Sequence, residues 1–338
     1  MKVLVTGAGG FIGSHLVESL IADGDYVRCF VKPCSDISPI ESSGNDIVYG
    51  DIRDIELLKK VTEDIDIVYH LAAIPRLKLT IPPEEYKSVN IEGTRNVLEM
   101  SRRAGTKKFV YISTIEAVGP SRNGNPVNEE TEPKPENIYG GTKLEGEKLT
   151  VEYYKTYGMH TVIVRPPMIY GPGSLLQFQR LFKVINKGCY PIVGDGKTLM
   201  EFCYVENLVF GIKLAGEKGR AGEIYFISDE RSYSIEEVVR EIGQQLNTNT
   251  KIFYIPVRVA WGIGLLFEGL SKIIRIPPFR VKETNKAPFS RDTVKWTSKD
   301  TLFCDVSKAK RELGYIPPYT LSEGIKKTIK WYKVIGLL

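Results

Sequence analysis

Three polar residues in the middle of the chain have the types and spacing of a proton-transfer site. Tyr139 and Lys143 stand four residues apart in a segment with a helical pattern, so both side chains project from one helix face. A tyrosine hydroxyl has a reference pKa of about 10, and a neighbouring ammonium lowers that pKa by favouring the phenolate. Thr114 ends a predicted strand, and its hydroxyl is suited to holding a substrate oxygen. We therefore predict that Tyr139, Lys143 and Thr114 are catalytic.

A glycine-rich loop near the start of the chain is the second chemical signal. It follows a short run of β-forming residues and leads into a helical pattern that begins at Ile12. Gly7 allows the tight turn, Gly10 lets a pyrophosphate approach the backbone, and Gly13 lets the helix pack against the sheet. The free N–H groups at the start of such a helix favour phosphates. These glycines, with Phe11 and Ile12 between them, are predicted to bind a dinucleotide, whose oxidised nicotinamide would also favour the phenolate.

The end of the second predicted strand, 26–32, indicates which dinucleotide binds. An NAD-preferring site places an acidic residue there to accept a hydrogen bond from the ribose 2′-hydroxyl. This strand ends in Lys32, which predicts NADP(H) in preference to NAD(H), with Arg28 as a second cation near the 2′-phosphate. A solvated surface lysine is the alternative. Asp51 and Ile52 are predicted at the adenine, although Asp51 is also a candidate helix N-cap.

The composition is that of an ordinary globular protein. The 338 residues are 42% hydrophobic and 26% charged, with a net charge of +5. The basic residues are scattered, which argues against nucleic-acid binding. Five cysteines form no C-x-x-C pair and no metal-ligand spacing, so no metal is predicted. The scattered thiols fit a reducing cytoplasm, and we expect a cytoplasmic protein because no leader precedes the first strand.

Strand and helix patterns alternate along the first two thirds of the chain. Predicted strands after the first are 26–32, 46–49, 66–72, 108–114, 161–165 and 223–228, and predicted helices are 14–22, 55–61, 84–103 and 139–157. This alternation predicts an α/β protein with a doubly wound parallel sheet of the Rossmann type. Residues 1–166, with 204–228 returning, would bind the dinucleotide. Residues 167–203 and 229–338 would form a smaller, interleaved C-terminal substrate lobe.

Taken together, these segments resemble the extended short-chain dehydrogenase/reductases, which include the NAD(P)-dependent epimerase/dehydratases. The resemblance covers nearly the whole chain. Its motifs are TGAGGFIG (6–13), DIRD (51–54), HLAA (70–73), YISTIEAVG (111–119), YGGTK (139–143), RPPMIYGPG (165–173) and GDGKTLMEFCYVEN (194–207). Their combination is more specific than any one of them.

The resemblance implies roles for individual residues. Tyr139 would be the proton acceptor, Lys143 would bind the nicotinamide ribose, and Thr114 would stand at the family's substrate-binding position. Further cofactor contacts would come from the segment after the fourth strand and from the end of the sixth, namely Leu71, Ala72, Ala73 and Pro166.

Two polar residues near these motifs have competing interpretations. Asn90 matches a family asparagine near the site, but a buried helix asparagine bonded to backbone is equally consistent with its position. His70 is expected in the core rather than in catalysis. The resemblance also implies a homodimer, which would form through a four-helix bundle of helices 84–103 and 139–157.

Two positions depart from the pattern of family members that act on nucleotide-diphospho sugars. Those members carry an asparagine and an arginine that hold the diphosphate, where this chain has Met168 and Met200. Losing a bidentate guanidinium and an amide from such a site costs on the order of several kcal/mol. Methionine suits an apolar ligand. The alternative is that Arg180, Lys183 or Lys197 replaces the missing groups.

The most apolar stretch of the substrate lobe is 257–279. Leu266, Leu270, Ile273 and Ile274 fall on one helical stripe, which favours a core-facing helix over a lid on a hydrophobic substrate or a membrane-surface contact. This stretch and residues 307–315 resemble the 3β-hydroxysteroid, sterol-carboxylate and dihydroflavonol-type branch of the family.

We therefore predict an NAD(P)(H)-dependent oxidoreductase that interconverts a secondary alcohol and a ketone on a mainly apolar or cyclic small molecule. The alternative is a nucleotide-sugar epimerase or dehydratase that uses the same residues. A non-catalytic NADP(H) sensor is disfavoured, because such proteins usually lack the pair that Tyr139 and Lys143 form here.

Overall fold

The computed structural model describes residues 1–41, 46–76, 81–121, 124–175, 177–273 and 302–338. The strands are β1 (Lys2–Thr6), β2 (Tyr26–Val31), β3 (Asp46–Tyr49), β4 (Ile67–His70), β5 (Lys108–Ile112), β6 (Thr161–Arg165), β7 (Met168–Tyr170), β8 (Cys189–Val193), β9 (Leu199–Met200), β10 (Phe202–Tyr204), β11 (Glu223–Phe226), β12 (Tyr233–Ser234) and β13 (Lys251–Ile255). Seven of them form one parallel sheet in the order β11-β6-β5-β4-β1-β2-β3. The predicted α/β class with a parallel Rossmann sheet is confirmed.

Helices cover both faces of this sheet. They are α1 (Phe11–Ala22), α2 (Ile55–Val61), α3 (Pro83–Lys87), α4 (Thr94–Arg103), α5 (Ile138–Tyr157), α6 (Gln177–Asn186), α7 (Val205–Lys218), α8 (Ile235–Gln245), α9 (Val257–Ile273), α10 (Ser307–Leu313) and α11 (Leu321–Val334). Side chains of β1 alternate between the two faces. Val3 and Val5 join a buried cluster with α1 and α7, whereas Leu4 joins one with α2, α4 and α5.

The helix predicted over 84–103 is present from Pro83 to Arg103, but its middle is not α-helical. A π-helical turn at Ser88–Gly93 joins α3 to α4. Just after this turn, the Thr94 hydroxyl donates to the carbonyl oxygen of Asn90 at 2.8 Å, a side-chain bond that competes with the regular α-helical ladder.

Several strands also end earlier than predicted. β2 ends at Val31, β4 at His70 and β5 at Ile112, so the segments that follow them leave the sheet as loops. Because all seven strands are parallel, these loops emerge at the same edge. The candidate site residues Lys32 and Thr114 lie in two of them.

Among the residues that the structure describes, three two-stranded sheets lie outside the main sheet. They pair β7 with β10, β9 with β12, and β8 with β13. An aromatic cluster packs around them, and its largest fully buried members are Tyr170, Tyr204, Phe182, Phe202 and Tyr332.

Of the stripe that predicted a core-facing helix over 257–279, Leu266 is 63% exposed, so the expectation is wrong at this residue. The neighbouring Leu265 is 51% exposed. Leu270, Ile273 and Ile274, which the expectation also used, lie outside the residues with described side chains. Of the helices that the structure describes, none combines the length and hydropathy needed to cross a bilayer.

Candidate active site

The glycine-rich loop has the backbone shape that the sequence predicted. Gly7 has a φ of +73°, and its N–H donates to the carbonyl oxygen of Phe30 at 3.0 Å. A Cβ at Gly7 would lie 2.9 Å from the amide nitrogen of Ala72, and a Cβ at Gly13 would collide with the Gly7 carbonyl. Gly10 is the N-cap of α1 and supplies no capping side chain, so the first turn of the helix stays open to a phosphate. The loop fits a dinucleotide.

The segment after β4 lies against this loop. The Leu71 N–H donates to the Thr6 carbonyl at 3.1 Å, and the Ala72 N–H donates to the Thr6 hydroxyl at 3.3 Å. Leu71, Ala72 and Ala73 are all partly exposed. They are therefore placed beside the loop, where the resemblance requires them.

The polar residues beyond β2 and β3 are closely spaced. Lys32 is exposed, and its charge contributes to lowering the pKa of Asp51, although hydrogen bonds from Arg53 are the larger cause. The N-cap alternative for Asp51 is wrong, because Asp54 caps α2 by accepting from the Leu57 N–H at 3.0 Å.

Arg28 does not join Lys32 as a second cation. Its guanidinium donates to Asp46 at 2.6 Å and to the backbone oxygen of Val61 at 3.1 Å. Ile52 is buried against Gly93, where it helps to position the chain after β3.

Tyr139 and Thr114 meet at the carboxyl edge of the sheet. Tyr139 occupies the first turn of α5, whose N-cap Asn137 accepts from the Gly140 N–H at 2.8 Å. Thr114 is buried and caps a short 3₁₀ turn by accepting from the Glu116 N–H at 3.3 Å. The Thr114 hydroxyl lies near enough to the Tyr139 hydroxyl to lower the pKa of Tyr139. Two of the three predicted catalytic groups are thus neighbours.

The protonation of Tyr139 differs from the sequence expectation. Burial raises the pKa of Tyr139 above its ordinary value, and the Glu116 carboxylate raises it further. The Thr114 hydroxyl and the charge of Arg76 lower it by less. In the protein without its cofactor, the pKa of Tyr139 is therefore raised, whereas the sequence predicted that it would be lowered. Desolvation of the phenolate is the largest cause.

Lys143 lies one helical turn after Tyr139 and is buried. Its Nζ is 4.0 Å from the centroid of the Tyr111 ring. Burial lowers the pKa of Lys143 to about 7, and the carboxylate of Glu147 opposes that shift. Gaining or losing the Lys143 proton is consequently easy near neutral pH.

A buried ion pair that the sequence reasoning missed lies behind Lys143. Glu147 accepts from Arg165 through Nε at 2.9 Å and Nη2 at 2.7 Å, and from the Ser113 hydroxyl at 2.5 Å. Ser113 precedes Thr114 at the end of β5, and Arg165 precedes Pro166 at the end of β6. Glu147 therefore ties together the three elements that carry the candidate site. The sequence feature that could have revealed Glu147 is its position one helical turn beyond Lys143.

Glu116 is a second functional candidate that the sequence reasoning missed. Its carboxylate accepts from Asn137 Nδ2 at 2.7 Å and from Arg76 Nη1 at 3.2 Å. It raises the pKa of Tyr139, whereas Thr114 lowers it. Its position two residues after Thr114, inside the YISTIEAVG motif, was the signal that went unused.

Asn90 and His70 are structural in the protein. Asn90 is buried and pairs with both backbone groups of Ile74, accepting at 2.7 Å and donating at 3.3 Å, and it donates to the Thr142 hydroxyl at 3.0 Å. His70 lies between the hydroxyls of Thr6 and Thr94, and burial lowers its pKa to about 3.

Met168 and Met200 both pack against the aromatic cluster of the second half. Arg180, Lys183 and Lys197, the proposed substitutes for a diphosphate clamp, are exposed. Over the part of the chain that the structure describes, no three His, Cys, Asp or Glu side chains are grouped as a metal site would need.

Comparison with known proteins agrees with this geometry. The sequence profile of the NAD dependent epimerase/dehydratase family matches residues 3–228. The chain belongs to this family. It is therefore an enzyme of the extended short-chain dehydrogenase/reductase type, a group of NAD-dependent dehydrogenases and epimerases.

Its relatives include both of the activities considered above. The chain is 32% identical to UDP-glucose 4-epimerase of Vibrio cholerae over 97% of this chain and 94% of that one. It is 30% identical to 3beta-hydroxysteroid-dehydrogenase/decarboxylase isoform 1 of Arabidopsis thaliana over 96% of this chain and 78% of that one. UDP-glucuronic acid 4-epimerase from Bacillus cereus, solved in complex with NAD, superposes with a TM-score of 0.76 and 28% identity over 99% of each chain.

Proposed function

We propose that the protein interconverts a secondary alcohol and a ketone on a mainly apolar or cyclic small molecule, with NADP(H) preferred over NAD(H). The observation that carries this proposal is the placement of Thr114 beside Tyr139, whose pKa it lowers, with Lys143 one turn away on the same helix. These groups lie at the edge of the sheet where the glycine-rich loop opens. The hydroxysteroid dehydrogenase relative supports the substrate class.

The nicotinamide dinucleotide supplies or accepts the hydride when it is bound. The backbone of Gly7 and Gly10 would hold its phosphates, and Lys143 would hold the nicotinamide ribose. Thr114 would orient the substrate oxygen, and Tyr139 would exchange a proton with that oxygen.

The raised pKa of Tyr139 suits the reductive direction. A phenol that stays protonated at neutral pH is ready to donate a proton as a ketone becomes an alcoholate. In the oxidative direction a positively charged nicotinamide ring would favour the phenolate, as would the ammonium of Lys143. The same hydroxyl would then serve as acid in one direction and as base in the other.

The apolar substrate class is supported by the second half of the molecule. Met168 and Met200 occupy the positions at which a diphosphate clamp would need an amide and a guanidinium, and both pack with apolar neighbours. A flexible thioether beside aromatic rings favours a hydrocarbon surface.

The experiment that tests this function measures the oxidation of NADPH and NADH with a panel of ketosteroids, other cyclic ketones, aldehydes and sugar nucleotides. We expect turnover with the cyclic ketones and faster turnover with NADPH. Activity confined to sugar nucleotides would contradict the proposed substrate class. Equal or tighter binding of NADH in a titration would contradict the proposed preference for NADP(H).

A nucleotide-sugar epimerase is the second candidate. The relative from Vibrio cholerae favours it, as does Glu116, an additional carboxylate that acts on Tyr139. An epimerase returns its hydride to the same substrate, so a tightly retained dinucleotide and conversion of a sugar nucleotide without net NADPH oxidation would favour this candidate.

A further inference from the structure

The small sheet of β8 and β13 presents one of its faces to solvent. The pairing places Cys189 beside Lys251 and Pro191 beside Phe253. All four residues are exposed, and Phe253 is 55% exposed. The intervening Tyr190 and Ile252 pack against the aromatic cluster. A single exposed ring is ordinary, but a contiguous apolar patch on the surface marks an interaction site.

The first half of α9 continues this exposed surface. Val257 and Ala260 attach the helix to the body of the protein through Val193. The large apolar side chains around them point outward, with exposed fractions of 52% for Val259, 42% for Trp261, 36% for Ile263, 51% for Leu265 and 63% for Leu266. A helix that is apolar around most of its circumference is normally buried. We call the exposed side chains of residues 183–191 and 251–266 the docking face.

The charges within the docking face have one sign. Residues 183–191 and 251–266 contain no Asp and no Glu, and their charged residues are Lys183, Lys187, Lys251 and Arg258. Acidic residues stand at the border of this face. Asp195 and Glu268 follow shortly in the sequence, and Glu236, which meets Tyr254, is paired with Arg240 at 2.7 Å.

We propose that the docking face binds the surface of a lipid bilayer that contains anionic lipids. Trp261, Leu265 and Leu266 would enter the boundary between head groups and acyl chains, and the lysines would meet lipid phosphates. This inference is independent of the proposed reaction.

A second copy of the chain fits this face less well. A two-fold interface brings each docking face against itself, so four cations would face four cations without a carboxylate in either segment. Charge complementarity therefore selects an anionic occupant. Protruding leucines and a tryptophan among lysines suit a lipid surface.

The test is co-sedimentation of the full-length protein with vesicles of phosphatidylcholine alone and of phosphatidylcholine mixed with phosphatidylglycerol. We expect binding to the anionic vesicles that is at least tenfold tighter than to the neutral ones and that weakens as salt is added. The double substitution Leu265→Ser with Leu266→Ser should weaken binding at least tenfold. Ile316→Ser with Val334→Ser, which changes two side chains that are 75% and 77% exposed elsewhere, should leave it unchanged.

A second measurement does not depend on a folded double variant. Bromine-labelled lipids in anionic vesicles should quench tryptophan fluorescence of the unsubstituted chain, and Trp261→Phe should remove most of that quenching. Absence of vesicle binding, or equal loss in the Leu and the control variants, would overturn the proposal. So would a dimer in solution that Leu265→Ser with Leu266→Ser dissociates, because the face would then belong to a second copy.

Discussion

The two halves of the molecule bury their carboxylates against different partners. On α5, the helix of Tyr139 and Lys143, Glu147 accepts two hydrogen bonds from the guanidinium of Arg165. Among the small sheets, Glu201 accepts from the hydroxyls of Ser228 and Ser232, each at 2.6 Å. Asp229 in that half accepts from the Tyr204 N–H at 2.8 Å. The first half uses a full positive charge, and the second uses neutral donors.

This difference has a consequence for protonation. Burial raises the pKa of Glu201, and it raises the pKa of Asp229 to about 7, because neutral donors only partly replace the lost hydration. Burial by itself therefore does not determine the charge of a carboxylate. The charge of its hydrogen-bond partner decides as well. The predictions below test this difference from the largest expected effect to the smallest.

The largest effect is expected where the first half carries out chemistry. Tyr139→Phe removes the hydroxyl that exchanges a proton with substrate, and we expect a loss of roughly 10²- to 10⁴-fold in kcat with dinucleotide binding almost intact. Steady-state kinetics and a dinucleotide titration measure both quantities. Tyr154→Phe, on the same helix with a ring that packs at Gly222, is the matched control and should keep full activity. An unchanged kcat in Tyr139→Phe would remove this residue from the mechanism.

The paired substitutions Glu147→Gln and Glu201→Gln compare the two kinds of burial directly. Glu147→Gln leaves the Arg165 guanidinium buried without its anion, and we expect the free energy of unfolding to fall by about 3–5 kcal/mol. Glu201→Gln keeps a shape that hydroxyls can pair with, and its expected cost is about 1 kcal/mol. Urea unfolding of both variants measures the two losses in free energy of unfolding. Equal costs would show that the cation makes no difference.

Asp229 should make stability fall as pH rises. Its pKa is about 7 in the folded chain and about 3.9 in an unfolded one, so the folded state binds more protons between these values. The stabilising contribution is therefore complete below pH 4 and is lost toward pH 7. Asp229→Asn should flatten the dependence of the unfolding free energy on pH in this window, and a slope equal to that of the unsubstituted chain would contradict it.

Lys143 should act in the opposite direction in the next window. Its pKa is about 7 when folded and about 10.4 when unfolded, so here the unfolded state binds more protons. Stability should rise with pH between about 7 and 10, and Lys143→Met should remove that part of the rise. Together the two residues predict that the free energy of unfolding of the chain without its cofactor passes through a minimum near neutral pH.

The smallest effect is expected at the exposed end of β2. Lys32→Ala should weaken NADPH binding about tenfold, or about 1.4 kcal/mol, and leave NADH binding unchanged, because only NADPH carries the 2′-phosphate. Lys333→Ala, an exposed lysine in α11, is the control. Parallel losses for both dinucleotides would assign Lys32 to general electrostatic attraction.

The sheet and the phosphate loop were predictable because their determinants are local. A buried strand needs only a run of β-forming residues, and Gly7 and Gly13 stand where a Cβ has no room. Thr114, Tyr139 and Lys143 were found for a similar reason: two of them share one helix face and the third ends a strand of the same sheet.

The remaining parts of the site depend on contacts that the sequence spacing does not encode. Glu147 and Arg165 are 18 residues apart, and Arg76 and Glu116 are 40 apart, so neither pair has a local signature. The exposure of α9 was missed for another reason. A run of apolar residues has the same pattern whether it faces a protein core or a surface that binds a partner.

The pairing of β7 with β10 has a consequence for how such enzymes diversify. The register pairs Met168 with Phe202, Ile169 with Cys203 and Tyr170 with Tyr204. The two ends of the segment 171–201 are therefore held close together. Two strands of this segment, β8 and β9, pair with β13 and β12, so the segment is exchangeable together with those partners. Transplanting a relative's segment with its two partner strands should change specificity while the parallel sheet stays as it is.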